Sequence, residues 1–453
     1  MSDIFITNAK AIIPMVGSIY EPAILKNQSI LISGTEIIEI GKKILVPRGT
    51  ERVDATGKVI LPGFINCHTH LAMNLLKGYA DDMNLQEWLE QKIWPFESKM
   101  SPDDIEFGAR LGALEAIASG TTTINSMYHH SDREAKAVTE LGLRAVIGHV
   151  CFSWRKEADY KQTISIIENF HGFKEDLVRC SIDPHASYTV DHDFFLKLID
   201  LKNQYQNRYE HPPFIHTHAA ETKYETQQLR NYLENEGYKS LVKTIESPIQ
   251  YLHNTGALKE ACVAHGVWLS EKDIQLIKND DARIASCPVS NLKLSSGIAP
   301  VKQLIDASIT VGFGTDGSSS NNTLDMLETT KISSLIQKVH PILDPQAIPA
   351  YHALWISTRG SARTIHWDDS IGSLEKGKKA DIILVDFQKP HLTPVWNEIS
   401  HLVYAAKGTD VSDVIINGEL VYQDYKFRKI NFPNFYQESQ DYLKKLDEHL
   451  KQD

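Results

Sequence analysis

The sequence contains little cysteine, and the cysteines that it has are scattered. Its 453 residues include five, none of them in a Cys-x-x-Cys pair: Cys67, Cys151, Cys180, Cys262 and Cys287. An odd number at this spacing is typical of a reducing compartment and argues against both a disulfide framework and a cysteine-based structural zinc site. We therefore expect a cytoplasmic protein.

Positive charge and long apolar runs are also scarce. Lys and Arg total 47 against 58 Asp and Glu, which gives a net charge of −11. Nucleic-acid binding depends on clustered Lys and Arg that neutralise phosphates, and no such cluster is present. No run approaches the roughly 18 apolar residues of a membrane-spanning helix, and the first residues lack the pattern of a secretory signal. We expect neither a nucleic acid nor a membrane as partner.

Both ends of the chain are rich in short β-like runs, at residues 4–6, 29–32 and 37–40 and again at 381–385 and 414–422. Short strands separated by turn residues predict a small sheet or sandwich. We assign residues 1–58 and 368–427 to one composite β-sandwich domain. Residues 428–453 are predicted to form a helical tail, because Leu443, Leu446 and Leu450 follow helical spacing.

Between the two ends, apolar strand-like runs alternate with helical segments. Eight such runs occur, at residues 59–66, 121–126, 143–151, 178–183, 213–218, 261–265, 282–287 and 310–315. Eight β/α units over roughly 300 residues match the size of a (β/α)₈ barrel. Ser101 and Pro102 predict the start of a helix that continues through Ile117. The sequence thus predicts an α/β fold, with a TIM-like barrel at residues 59–367.

The clearest chemical signal is a His-x-His pair, His68 and His70, near the end of the first run. Side chains alternate between the faces of a strand, so these two imidazoles point the same way and could form half of a metal site. In this fold the carboxyl ends of the strands carry the active site. Taken alone, the pair could equally be ordinary polar residues.

Further candidate ligands follow later runs: His218 and Glu221 after the fifth, His265 after the sixth and Asp316 after the eighth. Three imidazoles and a carboxylate suit a zinc or iron ion that keeps an open position for water. His216 shares a strand face with His218 and remains an alternative ligand, although a packing or second-layer role is the simpler interpretation.

An ordered series of motifs carries a resemblance across almost the whole chain: PGFINCHTH, MNLLKGYADD, EWLEQKIWPFE, GTTT, DPHASYT, HTHAAET, AHGV, CPVSNLKLSSGIAPV and GTDGSSSNN. By these motifs the sequence resembles the amidohydrolase superfamily, in the branch of 5′-methylthioadenosine/S-adenosylhomocysteine deaminases. The family encloses its barrel with a sandwich built from both termini. The resemblance implies that the metal ligands are His68, His70, His218 and Asp316, with Glu221, His265 and Asp316 as catalytic residues.

The end of the fourth run bears on the number of metal ions. Relatives with two metals usually bridge them there with a carboxylated lysine or an acid, whereas residues 180–185 of this chain contain no lysine. We expect one divalent metal ion, zinc in preference to iron. Asp183 is the only acid in this segment. We interpret it as a turn residue at the end of the strand, and the alternative is that it contacts the metal.

The resemblance also implies a mechanism. The metal lowers the pKa of bound water to about 7. Asp316 accepts the water proton and His265 orients the hydroxide toward an amidine-like ring carbon. Glu221 protonates the ring nitrogen and then passes a proton to the departing amine. Without the neighbouring His218, Glu221 would read as a solvated acid at a helix N-terminus.

For the substrate, the resemblance implies that the carboxylate of Glu97 binds ribose hydroxyls, that Trp88 lines the pocket and that His185 contacts the nucleoside. Ser320 is a further substrate-binding candidate. The expected reaction is therefore hydrolytic deamination of an adenine nucleoside to the inosine analogue and ammonia. The candidates are 5′-methylthioadenosine, 5′-deoxyadenosine and adenosine.

The segment after the third run departs from the family pattern. Relatives that handle S-adenosylhomocysteine have arginines there, whereas this chain has His149 and then Arg155. Both stay candidates for substrate binding, and acceptance of S-adenosylhomocysteine stays open. His129 and His130 could also line the pocket, or be ordinary loop histidines.

The nearest alternative is another amidohydrolase reaction, such as deamination of guanine or a pterin, or hydrolysis of a substituted triazine. A substrate without ribose would have no use for Glu97. A more remote alternative is a non-catalytic scaffold of the same fold, although none of the expected ligands is missing. Relatives are often dimers or tetramers, so we expect a homo-oligomer.

Overall fold

The computed structural model describes residues 3–341 and 343–450. Its strands, in chain order, are β1 Ile4–Thr7, β2 Ala11–Ile12, β3 Ser29–Ser33, β4 Glu36–Gly41, β5 Glu51–Asp54, β6 Lys58–Pro62, β7 Phe64–Thr69, β8 Thr121–Tyr128, β9 Arg144–Cys151, β10 Val178–Pro184, β11 His216–Ala219, β12 Cys262–His265, β13 Arg283–Ser286, β14 Val311–Phe313, β15 Ile382–Asp386, β16 Val411–Ile416, β17 Glu419–Gln423 and β18 Lys426–Phe427.

The α-helices lie mainly between the strands of the central region. They span Leu85–Trp88, Trp94–Glu97, Pro102–Ala118, Ser131–Leu141, Lys156–Phe170, His192–Tyr205, Glu225–Asn235, Lys239–Val242, Pro248–Thr255, Glu271–Asn279, Pro288–Lys293, Val301–Asp306, Ser318–Asn321, Met326–Gln337, Ala350–Trp355, Ser361–Thr364, Glu398–Tyr404 and Phe432–Leu450. The helix expected after Ser101 begins at Pro102, where Ser101 and Asp104 form a reciprocal capping box.

Strands β7 to β14 form a parallel barrel in chain order. Two four-stranded sheets, β7 to β10 and β11 to β14, are joined where Ile182 pairs with Ile215. At the other seam, the Asp316 N–H donates to the His68 carbonyl oxygen at 3.0 Å. This confirms the predicted α/β fold with a (β/α)₈ barrel.

Glycines after and within β14 allow the last strand to lie against the first. A Cβ atom at Gly314 would lie 2.8 Å from the His68 carbonyl oxygen, and one at Gly312 would lie 2.4 Å from Cys67 Sγ. Both separations are shorter than van der Waals contact, so a larger residue would push the seam apart. Asn66 and Thr315 also bridge the seam, through hydrogen bonds of 2.7 and 3.0 Å.

Two further sheets are built from both ends of the chain. One has the order β4-β3-β1-β5 and the other the order β18-β17-β16-β15-β6-β2. Their facing side chains form a common apolar core that includes Ile6, Ile30, Ile60, Ile382 and Ile415. The two ends of the chain therefore complete one sandwich.

The first predicted barrel strand is wrong in its extent. Residues 59–66 span two strands, because β6 pairs with β15 in the sandwich and only β7 belongs to the barrel. The chain changes sheets at Gly63, where a Cβ atom would lie 2.1 Å from the Thr122 side chain. The Pro62-Gly63 pair marks a turn within this run, but the sequence does not show that the strand before it belongs to a different sheet.

The tail forms the helix Phe432–Leu450 and packs against the helix Pro102–Ala118. Tyr442 stacks on Phe107 with ring centroids 4.0 Å apart, and its hydroxyl donates to Asp104 Oδ1 at 2.5 Å. Leu446, which helical spacing placed on the packing face, is buried. Across the described ranges, no helix combines the length and the apolar character required to span a bilayer.

A buried ion pair ties the barrel to the sandwich. Arg144 of β9 donates from Nε and Nη2 to the two carboxylate oxygens of Asp381 at 2.6 and 3.1 Å, and both side chains are almost fully buried. Asn417 completes the cluster by accepting from Arg144 Nη2 at 2.9 Å. Because the pair is bidentate and dry, removal of one partner leaves a buried charge without compensation.

We therefore expect Arg144→Met to lower the free energy of unfolding by about 3–5 kcal/mol. The thermal unfolding midpoint should fall accordingly. The matched control is Lys272→Met, which breaks a pair with Glu246 that is mostly exposed to solvent. The control should leave the midpoint unchanged, and equal midpoints for the two variants would contradict the role given to Arg144.

Candidate active site

The polar residues predicted at the strand ends meet at one mouth of the barrel. His68 lies in β7 and His70 follows it, His218 lies in β11, His265 ends β12, and Asp316 follows β14. In a parallel barrel the carboxyl ends of all strands face the same side. Residues that are far apart in the sequence are therefore brought into one cluster.

The cluster has the spacing of a metal site. Asp316 Oδ1 lies 3.3 Å from His68 Nε2 and 3.2 Å from His70 Nε2. The ligand atoms of His68, His218 and His265 also lie within 4.8 Å of one another. His68 Nε2 is buried and has no hydrogen-bond partner within the described residues. A buried nitrogen with no partner among imidazoles and a carboxylate fits a divalent metal ion.

Backbone carbonyl groups orient two of the imidazoles. His70 Nδ1 lies 2.6 Å from the carbonyl oxygen of Met127, and His218 Nδ1 lies 2.7 Å from that of His185. A carbonyl oxygen only accepts, so each Nδ1 must carry the proton and each Nε2 is left as the metal-binding atom of the neutral ring. The strand backbone thus fixes which nitrogen faces the cluster.

Ser290 and Asn291 lie in the helix that follows β13 and contact two residues of the cluster. Neither was predicted. Asn291 Oδ1 lies 2.8 Å from His265 Nδ1, and Ser290 Oγ donates to Asp316 Oδ2 at 2.7 Å. Their position directly after a barrel strand was the available signal. Ser320 was expected to bind substrate, but its hydroxyl donates to Asp316 Oδ2 at 2.8 Å and it does not line the cavity. It orients Asp316 instead.

Burial and hydrogen bonding set the charges of the cluster. Burial holds the pKa of His68 and His218 well below its usual range. Burial opposes ionisation of Asp316, yet the neighbouring rings of His68 and His70 hold its pKa well below the usual range. Burial also opposes charging of His70, but Asp316 raises the pKa of that ring to about 9. A metal ion that binds here therefore displaces a proton from His70.

Glu221 lies beside the cluster, two residues after β11. Its Oε2 atom is 3.8 Å from His265 Nε2, and Ser296 Oγ donates to its Oε1 at 3.4 Å. Burial raises the pKa of the Glu221 carboxyl above its ordinary value. A carboxyl group in this environment is suited to hold and release a proton.

A cavity opens from the cluster, and half of the residues predicted to bind substrate or line a pocket lie in its wall. Glu97, Trp88, His185 and His129 line it. Burial raises the pKa of Glu97 to about 7. Sequence reasoning missed its aromatic lining, which consists of Trp94, Tyr128, Phe152 and Tyr188. Aromatic residues are also common in buried cores. The sequence alone therefore does not show which of them face a cavity.

Three predicted residues besides Ser320 lie outside the cavity lining. His149 Nε2 and Arg155 Nη2 each lie 3.2 Å from Asp159 Oδ1, so both side chains turn toward this buried acid. Arg155 also donates to His129 Nδ1 at 3.3 Å. His149 and Arg155, both candidates for substrate binding, thus face Asp159 and do not line this cavity, and neither does His130.

His216 and Asp183, the two alternative ligands, lie behind His68. His216 Nε2 is 2.9 Å from His68 Nδ1, on the side of the ring opposite to the cluster. Asp183 Oδ2 lies 3.4 Å from His216 Nδ1. Neither residue belongs to the groups whose atoms could share a metal ion.

Comparisons with known proteins agree with this geometry. The sequence pattern of the Amidohydrolase family matches residues 59–421. The chain is 42% identical to a 5-methylthioadenosine/S-adenosylhomocysteine deaminase of Pelotomaculum thermopropionicum, over 88% of this chain and 89% of the relative. It is 36% identical to a 5′-deoxyadenosine deaminase of Methanobrevibacter smithii, over 93% and 94%.

Among solved structures, the fold is similar to an adenosine deaminase from Xanthomonas campestris with bound zinc. The TM-score is 0.89 at 27% identity, and the match covers 100% of this chain and 99% of the other. The family pattern covers most of the chain, and two relatives exceed 30% identity over nearly their whole length. The chain belongs to the amidohydrolase family.

Proposed function

We propose that the protein deaminates adenine nucleosides by hydrolysis, replacing the 6-amino group with a 6-oxo group and releasing ammonia. The proposal rests on the lining of one cavity. Glu221 and His265 line it beside the histidine–aspartate cluster, and Glu97 lies in the wall of the same cavity. The names of the relatives from Pelotomaculum and Methanobrevibacter support this reaction class.

We propose that His68, His70, His218 and Asp316 hold one divalent metal ion, zinc in preference to iron. The zinc bound to the Xanthomonas deaminase supports this choice. When bound, a divalent metal ion acts as a Lewis acid that lowers the pKa of water to about 7. Asp183 is turned away from the cluster, which supports a single ion in place of a bridged pair.

The side chains around the cluster supply the proton transfers. The two serine hydroxyls occupy Asp316 Oδ2, so Oδ1, on the side of the histidines, accepts a proton from the attacking water. His265 Nε2 orients that water toward C6 of the purine. Glu221 donates its proton to the ring nitrogen next to C6, then takes the proton that remains on the attacking oxygen and passes it to the amine, which leaves as ammonia. The proton held by Asp316 returns to Glu221 and restores both carboxyl groups. One water molecule is consumed for each ammonia that is released.

The cavity wall favours nucleosides with a small, uncharged 5′ group. Phe152 and Trp94 form part of the lining. Arg155, the nearest candidate for the amino-acid carboxylate of S-adenosylhomocysteine, is already paired with Asp159. We therefore expect 5′-deoxyadenosine and 5′-methylthioadenosine to be the best substrates and S-adenosylhomocysteine the poorest. Adenosine should rank between these two groups, because its 5′-hydroxyl must be desolvated.

The cytoplasmic location and the homo-oligomer also belong to this proposal. All five cysteines are buried and unpaired. Their free state supports a reducing compartment. The oligomer of two or four copies is supported by the family resemblance alone.

The metal proposal predicts the metal content of the purified protein. His218→Ala and Asp316→Ala should each lose most of the bound metal, because each removes a ligand and leaves the others under-coordinated. Metal per chain can be counted by mass spectrometry after extensive dialysis. The control is His366→Gln, since His366 contacts the Glu260 carbonyl oxygen at the opposite end of the strands. Ligand variants that retained the metal content of the wild type would show that the assignment is wrong.

The reaction itself is tested by ultraviolet absorbance with 5′-deoxyadenosine, 5′-methylthioadenosine, adenosine and S-adenosylhomocysteine as parallel substrates. Loss of the adenine chromophore should stop with a chelator, return with zinc, and follow the order given above. Glu221→Gln should lower kcat by about 10²- to 10⁴-fold, because an amide cannot supply the proton. If the metal-loaded protein left all four nucleosides unchanged, guanine, pterins and triazines would replace them as candidates.

Ribose recognition has a separate test in Glu97→Gln. Hydrogen bonds to a charged group contribute about 1.5–3 kcal/mol, so KM for the nucleosides should rise about 10-fold or more while kcat changes less. Glu90→Gln, an exposed acid of the same segment, is the control. An unchanged KM in Glu97→Gln would show that Glu97 does not recognise ribose, and would favour a free base as substrate.

A further inference from the structure

A line of three buried polar side chains runs from the metal-binding cluster into the barrel interior. His68 Nδ1 faces His216 Nε2 at 2.9 Å, and His216 Nδ1 faces Asp183 Oδ2 at 3.4 Å. All three side chains are fully buried. Within the described residues neither the carboxylate oxygens of Asp183 nor His216 Nδ1 has a hydrogen bond of regular geometry, so the two side chains face each other as an ion-pair contact.

His68 differs from its neighbours in how its second nitrogen is held. His70 and His218 face backbone carbonyl oxygens, which can only accept a proton. His68 faces another imidazole, whose Nε2 can either donate or accept. The contact with His216 therefore does not by itself determine which nitrogen of His68 carries the proton.

Asp183 removes this ambiguity. A carboxylate oxygen accepts a hydrogen bond, so the contact with Asp183 Oδ2 favours the form of His216 that carries its proton on Nδ1. His216 Nε2 then carries no proton and accepts a hydrogen bond from the Nδ1–H group of His68. The Nε2 atom of His68 is left free on the cluster side. The opposite arrangement would place a lone pair of His216 against the carboxylate and a proton on the metal-binding nitrogen of His68.

The backbone provides space for Asp183 in this position. A Cβ atom at Gly148, on the neighbouring strand β9, would lie 1.9 Å from Asp183 Oδ2. Only glycine at this position leaves room for the carboxylate to approach His216. The space for Asp183 thus depends on a second strand.

We propose that Asp183 and His216 are positioning residues that hold His68 in the form whose Nε2 is free to bind a divalent metal ion. The inference rests on the metal site of the proposed function. It assigns to these residues a role in metal affinity and none in contact with substrate. Outer residues that orient histidine ligands typically contribute about 10- to 100-fold to metal affinity.

The test compares His216→Gln with His216→Leu. A glutamine side chain can accept from His68 with its carbonyl oxygen and donate to Asp183 with its amide, whereas leucine can do neither. The zinc dissociation constant of each metal-free protein is measured by competition with a chelator, without substrate. We expect His216→Leu to bind zinc about 10- to 100-fold more weakly and His216→Gln to recover most of the loss.

A second readout follows the coordination itself. The visible absorption of the cobalt-substituted protein reports the geometry around the ion, so it should change in His216→Leu and be restored in His216→Gln. Thr123→Val is the control for loss of a buried polar atom, because the Thr123 hydroxyl is buried and has no hydrogen-bond partner within the described residues. This control should match the wild type in zinc affinity and in cobalt spectrum.

If His216→Leu does not fold, the double variant Asp183→Asn/His216→Leu removes the uncompensated charge and takes its place. Zinc affinity equal to that of the wild type in a folded leucine variant would overturn the proposal. So would a glutamine variant as weak as the leucine variant. Because no substrate is present, failure of the nucleoside assay would leave this result intact, whereas a wild-type protein that binds no zinc would remove the metal site itself.

Discussion

The seam between the first and last barrel strands is the constraint on which the site depends. The hydrogen bond from the Asp316 N–H to the His68 carbonyl oxygen joins two segments that lie at opposite ends of the barrel sequence. Gly314 allows this approach because a side chain there would collide with His68. Closure at the seam places a carboxylate 3.3 Å from an imidazole, which no local segment could do alone.

Burial at this seam influences which groups of the cluster are neutral and which are ionised. Desolvation favours neutral imidazoles, while the hydrogen bonds of Asp316 keep its carboxyl ionised. A ring that is to bind a metal ion needs a partner on its second nitrogen, because its proton must sit away from the metal-binding atom. The barrel supplies these partners from the backbone at His70 and His218, and from the pair His216 and Asp183 behind His68.

The cavity beside the cluster has walls of different chemical character. The helical segment before Pro102 contributes Trp88 and Glu97, so one wall is both aromatic and acidic. On the opposite side, Asp159 attracts Arg155 and leaves an aromatic surface in place of a cationic one. The charge of the pocket is therefore set as much by an unpredicted buried acid as by the residues that line it.

The sequence by itself determined the class of fold, the two β-rich ends that complete one sandwich, and the positions of the metal-binding candidates. Strand alternation places His68 and His70 on one face, because it depends on local geometry alone. The location of barrel active sites at the carboxyl ends of the strands predicts that His218, His265 and Asp316 lie near them. Only the tertiary structure decided the break at Gly63, the turn of His149 toward Asp159, and the use of Ser320 to hold Asp316. These depend on which buried acid or strand lies opposite, and contacts between distant segments leave no periodic trace in the sequence.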